Sequence, residues 1–189
     1  MSNKKGRLFV VSGPSGTGKS TLIARFLAED TASRFSVSCT TRVKRPREVD
    51  GRDYRFVETE TFQKMIDNDG FLEWESVHGY FYGTPKAEVA GPLLEGVDVI
   101  LDIDVKGALN VKEKCGRAVL IFVDTPSTDE LVRRLSARGE REIEKRMHRV
   151  REEVEKKGLF TYVVINDNVE TSYMQFKSII SDVRRQQDG

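Results

Sequence analysis

The chain has 189 residues, 38% hydrophobic and 32% charged, with 31 basic side chains against 30 acidic ones and a formal net charge of +1. That length suits one domain with a sizeable core, and a charged fraction above the usual quarter excludes a membrane-buried chain and favours a well-solvated surface. Near neutrality leaves no global field for nucleic acid or an anionic membrane, so any phosphate-binding function must come from charge clustered locally.

The first seven residues are polar and basic, and the apolar run after them, Leu8 to Val11, is too short for a signal-peptide core or a membrane span. The two cysteines, Cys39 and Cys115, lie far apart and in no metal-ligand spacing. Both features lead to the expectation of a cytoplasmic protein with reduced thiols. Leu8 to Val11 itself reads as a buried strand, followed by a Gly-rich turn and a helix with Leu22, Ile23, Phe26 and Leu27 on one face. Residues 35 to 84 break the rhythm. Short alternating segments (Phe35 to Thr41, Tyr54 to Val57, Phe71 to Val77, Tyr80 to Tyr82) surround a short helix near Thr61 to Asn68, which predicts a small, mainly antiparallel insert rich in aromatic side chains.

Thr84 before Pro85 marks a helix start. Three more buried strands follow, at Val97 to Ile103, Ala118 to Val123 and Tyr162 to Ile165, with helical patterns at Val105 to Lys114, Thr128 to Ala137 and Val169 to about Arg185. Ser127 with Glu130 forms a capping box. Residues 138 to 158 are almost wholly charged, with i,i+4 pairs at Glu142–Arg146, Arg149–Glu153 and Glu152–Lys156. A helix polar nearly all round has little to bury, so this one is expected to sit loosely. Strand–helix alternation of this kind implies an α/β fold with a parallel sheet covered on both faces.

Gly13-Pro14-Ser15-Gly16-Thr17-Gly18-Lys19-Ser20 matches G-x-x-x-x-G-K-[ST] in full, between a buried strand and a helix start. The glycines let backbone N–H groups turn inward around a phosphate, backed by the positive end of the helix dipole. Lys19 can reach the β- and γ-phosphates of a triphosphate, and the Ser20 hydroxyl can hold Mg²⁺. Binding ATP does not by itself separate a hydrolase, a kinase and a motor.

An acceptor site is written elsewhere. Arg42, Lys44, Arg45 and Arg47 crowd beside Glu48, which alone reads as a solvated basic loop or a nucleic-acid patch. With Tyr54 and Tyr82 nearby in aromatic segments, however, the Arg42 and Arg45 guanidiniums and two phenols can saturate one phosphate dianion. A nucleic-acid surface would need a longer positive stripe. Glu73, in an alternating segment, reads either as an exposed strand carboxylate or as an acceptor for the neighbouring N1–H and N2–H donors of guanine. Ser38 or Thr84 could then donate to guanine O6. Adenine would set an acceptor against that carboxylate, and such a site rejects the wrong partner strongly.

At these residues the chain resembles the guanylate kinase family, from about Arg7 to Val183. The shared pattern comprises the phosphate loop, Thr40-Thr41-Arg42…Arg45…Glu48…Gly51…Asp53-Tyr54, Phe71-Leu72-Glu73-Trp74, Tyr82-Gly83-Thr84 and Ile100-Leu101-Asp102-Ile103-Asp104. The resemblance implies an α/β fold: a P-loop NTPase-type parallel sheet flanked by helices (residues 1–34, 85–137 and 159–189), with a small α+β GMP-binding insert (about 35–84) and a helical lid (about 138–158). It implies phosphoryl transfer from ATP to GMP, and by extension dGMP, with Mg²⁺. Arg42, Arg45, Tyr54 and Tyr82 would hold the GMP phosphate, Glu73, Ser38 and Thr84 would read guanine, and Asp104 would organise the arginines or the nucleotide. Asp102 would act on the metal through water. Lid arginines Arg138 and Arg146 would embrace the transferring group beside Lys19, and Asn166 would lie near adenine. Three departures stand out: a lid shorter by about three residues, nearly one helical turn, Lys106 in place of a usual Gln, and Arg47 in place of a small residue. Two rival readings are a kinase of related build acting on another nucleotide or ribosyl phosphate, and a non-catalytic binding module. The sequence leaves monomer and homodimer equally open.

Overall fold

The computed structural model describes residues 5–77, 79–137 and 143–186, and for residues 143–146 the backbone alone. The elements run β1 (Leu8–Ser12), α1 (Lys19–Glu29), β2 (Ser33–Phe35), β3 (Cys39–Thr40), β4 (Arg55–Phe56), α2 (Thr59–Asp67), β5 (Phe71–Val77), β6 (Tyr80–Pro85), α3 (Lys86–Leu94), β7 (Asp98–Asp102), α4 (Val105–Lys114), β8 (Val119–Asp124), α5 (Thr128–Ala137), α6 (Ile143–Glu155), β9 (Tyr162–Ile165) and α7 (Val169–Gln186). Five strands make a sheet ordered β2-β7-β1-β8-β9, in which β2–β7 and β8–β9 pair in parallel. Its inner strands are buried along their length, as the unbroken apolar runs LFVVS and VLIFVD require of strands covered on both faces. The α/β class expected from the alternation is the one found.

A second sheet is ordered β4-β3-β6-β5. The β3–β6 and β5–β6 pairs are antiparallel and β3–β4 is parallel, so the expected mainly antiparallel character holds with one exception. The expected segment from Phe35 to Thr41 is corrected: it divides between two sheets. Phe35 closes β2, which pairs with β7, whereas Cys39 and Thr40 pair with β6. The helix start at Thr84–Pro85 also shifts. Strand β6 runs through Pro85 and the helix begins at Lys86, because the Thr84 hydroxyl is committed to another partner, Glu73.

The chain divides into two units. One comprises Met1–Phe9, Ala32–Leu101 and Leu109–Ala118. In it, the small sheet packs one face on α2 through Cys39, Phe62 and Phe71, with the Phe62 and Phe71 rings stacked at 4.4 Å. The other comprises Val10–Thr31, Asp102–Ala108 and Val119–Gly189. There the α1 stripe of Leu22, Ile23 and Phe26 is buried, and Phe26 meets Phe176 of α7 edge to face at 5.8 Å. The capping box at α5 is half made: Ser127 Oγ accepts the Glu130 N–H at 3.2 Å, but the Glu130 carboxylate is held by Arg133 and Arg134.

Helix α6 corrects the expectation of a loosely seated charged helix. Met147, Val150 and Val154, spaced three and four apart, form an apolar stripe against Leu131 and Leu135 of α5. Of the expected pairs, Arg149–Glu153 is present at 2.9 Å. Glu142, Arg138 and the Arg146 side chain lie outside the described residues.

Candidate functional site

The phosphate loop occupies the turn from β1 into α1, and its conformation explains its composition. Gly13, Gly16 and Gly18 have φ values of 130°, 93° and 94°, where a side chain is strained. At Gly13 a Cβ would stand 2.1 Å from the Val123 carbonyl oxygen, and at Gly18 it would stand 2.3 Å from Asn166 Nδ2. Within the loop, Thr17 Oγ1 donates to the Pro14 carbonyl at 2.9 Å, and Lys19 Nζ donates to the carbonyls of Gly13 (2.6 Å) and Pro14 (3.0 Å). The lysine ammonium is thus held over the loop by two carbonyls. Asn166, 5% exposed, donates from Nδ2 to the Thr17 carbonyl at 2.7 Å and from its backbone N–H to the Asp124 carbonyl at 2.7 Å. Its amide braces the loop from outside. Ser15 lies at the exposed crown of the turn.

At the C-terminal end of β7, Asp102 Oδ2 accepts the Ser20 hydroxyl at 3.1 Å. Burial pushes the Asp102 carboxyl above the usual carboxylate range, opposed by the Lys19 charge and the Ser20 hydrogen bond. Two residues on, Asp104 Oδ1 accepts the Gly107 N–H at the head of α4 (2.7 Å), and Oδ2 accepts from Arg149 at 3.3 Å. Arg149 also donates to Glu153, whose carboxyl is raised by burial and opposed by Arg149 and Lys19. From sequence spacing alone, Arg149 and Glu153 form only a helix-stabilising i,i+4 pair.

Of the expected acceptor residues, Glu73, Thr84 and Tyr82 share one face of the small sheet. Register places Glu73 opposite Thr84, Glu75 opposite Tyr82, and Tyr82 opposite Thr40. Neighbours directly opposite each other point to the same side. Ser38, one residue ahead of Cys39, continues the register toward Thr84. Glu73 is 5% exposed and Thr84 fully buried, and the Thr84 hydroxyl donates to Glu73 Oε1 at 2.6 Å. A carboxylate taken out of water and oriented by a hydroxyl is the opposite of an exposed strand glutamate. That reading of Glu73 is set aside.

Arg42 lies at the other end of this face. It donates bidentately to Glu48 (2.9 and 2.7 Å) and from Nε to the Tyr82 hydroxyl at 3.1 Å, and its guanidinium lies 5.4 Å from the centre of the Tyr54 ring. The hydrogen bonds from Arg42 hold the Glu48 carboxyl down at about 2, and Glu48 in turn raises Arg42 further. Tyr54 and Tyr82 meet edge to face at 5.9 Å. Arg45 joins by its backbone N–H, which donates to Glu48 at 2.8 Å, while its side chain is exposed. Asp53 and Asp50 each accept a backbone N–H, from Val49 (2.7 Å) and Phe56 (2.9 Å). Glu48, to which the sequence pattern attaches no role, is the clamp that orients Arg42. Its signal was its position in the Glu48…Gly51…Asp53-Tyr54 run.

Among the described residues, no group of three or more His, Cys, Asp or Glu side chains could hold a metal ion, and no helix is long and apolar enough to cross a membrane. A family model described as guanylate kinase matches residues 5–183. The guanylate kinase of Thermus thermophilus is 46% identical over 188 residues, covering 98% of this chain and 84% of the relative. That of Thermotoga maritima is 44% identical over 183 residues, covering 95% and 88%. The crystal structure of guanylate kinase from Anaplasma phagocytophilum superimposes with a TM-score of 0.78 at 29% identity, covering 95% of this chain and 86% of that one.

Proposed function

The chain belongs to the guanylate kinase family and carries out ATP-dependent phosphorylation of GMP, and from that premise we propose which residues perform it. The phosphate loop, Gly13 to Ser20, cradles the phosphates of ATP with its backbone N–H groups, and Lys19 exchanges its two carbonyl partners for phosphate oxygens. Asn166 serves ATP binding by bracing the loop. Arg42, Arg45, Tyr54 and Tyr82 bind the acceptor phosphate, with Glu48 fixing the Arg42 fork. Glu73, Thr84 and Ser38 read guanine, Asp104 positions Arg149, and Arg138 and Arg146 of the lid complete the charge around the transferring group. Residues 35–84 act as the GMP-binding insert and 138–158 as the lid.

Ser20 and Asp102 fit Mg²⁺. Both present oxygen, and the burial that disfavours the Asp102 charge is what a bound cation offsets. A site with so few protein oxygens leaves most positions to phosphate and water, as this ion prefers. Held there, the ion would supply positive charge to offset that of the triphosphate beside Lys19. The acceptor phosphate is largely dianionic at neutral pH and needs no strong general base; the arginines hold it in line and screen its charge. Closure of the insert and lid would exclude water, which otherwise hydrolyses ATP. Free thiols at Cys39 and Cys115 support cytoplasmic residence.

The observation that carries this assignment is the Arg42–Glu48–Tyr82 clamp on the same sheet face as the buried Glu73–Thr84 pair. Arg42→Ala is expected to lower ADP release with saturating ATP and GMP on the order of 10³-fold while leaving ATP affinity within about twofold. Equal loss of both would remove Arg42 from the acceptor site. A panel of GMP, dGMP, AMP and UMP measures selectivity in the same assay.

A further inference from the structure

Glu75 stands on the acceptor face and none of the roles above uses it. Strand β5 alternates, so Glu75 projects to the same side as Glu73, and register sets it opposite Tyr82. Two rungs cross this face: Glu73 with Thr84, the guanine rung, and Glu75 with Tyr82 and Thr40, whose far end carries the Arg42 clamp. A nucleoside monophosphate with its base over Glu73 and its phosphate at Arg42 and Tyr82 runs diagonally across both rungs. Its sugar then passes beside the remaining corner, which is Glu75. That corner is organised: Asn110 of α4 donates from Nδ2 to Glu75 Oε1 at 3.2 Å, and both side chains are half-buried. A carboxylate oriented by an amide on this face offers acceptor oxygens to the sugar of a bound nucleotide. The ribose 2′- and 3′-hydroxyls are the ligand's donors in that region, and a carboxylate can accept from one while keeping the Asn110 bond.

We propose that Glu75, positioned by Asn110, accepts a hydrogen bond from the ribose 2′-hydroxyl of the acceptor and makes dGMP a poorer substrate than GMP. The proposal rests on the acceptor site assigned above. The measurement is kcat/KM for GMP and for dGMP with wild type, Glu75→Ala, Glu75→Gln and Asn110→Ala, each checked for an unchanged melting temperature. Wild type is expected to favour GMP by about tenfold, the size of a hydrogen bond to a charged group. Glu75→Ala brings the two values together, mainly by lowering that for GMP and easing that for dGMP. Glu75→Gln, which still offers an acceptor, retains part of the preference, and Asn110→Ala weakens it. A wild type indifferent to the 2′-hydroxyl, or a Glu75→Ala variant that changes both substrates in parallel, would overturn the assignment. Failure of the acceptor site itself gives a different result, since Arg42→Ala would then leave GMP turnover intact.

Discussion

The phosphate loop and the acceptor face, both proposed to hold phosphate, are built from different materials. The loop is made chiefly of backbone: eight consecutive residues, three glycines at positive φ, and a single charged side chain, Lys19, beside the Thr17 and Ser20 hydroxyls. The acceptor face is made of side chains drawn from positions 38 to 84, held in place by one another through Arg42–Glu48, Arg42–Tyr82 and Thr84–Glu73. Backbone construction confines the information to one stretch of sequence and makes it intolerant of a methyl group. Side-chain construction spreads the information and makes each member depend on its partner's charge.

The sharpest test removes the loop's single charged side chain. If backbone N–H groups supply most of the binding, Lys19→Met should abolish chemistry far more than it weakens ATP binding. The expected fall in kcat is on the order of 10³-fold, with ATP affinity reduced no more than about tenfold, measured by turnover and by calorimetry. Parallel loss of both would break the contrast, since the loop would then depend on its side chain as the acceptor face does.

Gly13→Ala probes the other side of the contrast. The added Cβ would meet a backbone carbonyl at 2.1 Å, at a φ of 130°, so neither rotation nor side-chain movement relieves it. A cost of about 3 kcal/mol is expected, seen as a lower melting temperature and loss of ATP protection. Because the acceptor face owes nothing to that residue, titration with GMP alone should still register binding. Loss of GMP binding in Gly13→Ala would show that the two sites are not separately constructed.

This difference in material also accounts for what could be read in the sequence. The loop declared itself as a motif, and strands such as β8 and β9 as unbroken apolar runs. The acceptor residues emerged only from several short motifs taken together, and Glu48 received no function because an ion pair six residues long carries no periodic signal. Strand β2 is not separable from β3 in the sequence, since a three-residue edge strand, half exposed, offers little apolar contrast. The Met147, Val150 and Val154 stripe was hidden because charge surrounds it, although its spacing was present. Glu75 and Asn110 meet only through sheet register and a distant helix, which nothing local encodes. The two rival readings, another acceptor or a non-catalytic module, gave way to kinship along the whole chain with guanylate kinases.

The smallest expected effect isolates the acceptor unit through its titration. Glu48 sits at about 2 in the folded protein, chiefly because Arg42 donates two hydrogen bonds to it, against a value near 4.5 when unpaired. A carboxyl depressed on folding contributes stability that is complete above its unfolded value and is lost as the pH falls toward its folded one. The Arg42–Glu48 pair is mostly shielded, with side chains 11% and 18% exposed, and contributes about 1 kcal/mol. Glu48→Gln keeps the shape and removes the titration. The melting-temperature difference between wild type and Glu48→Gln should therefore be flat above about pH 5 and shrink steadily between pH 4.5 and 2. With ATP bound, the same difference should persist unchanged, because the ligand stabilises the loop and not the clamp. A difference that ignores pH would mean that Glu48 contributes packing alone, and the dependence of the acceptor face on paired charge would fail at its best-defined pair.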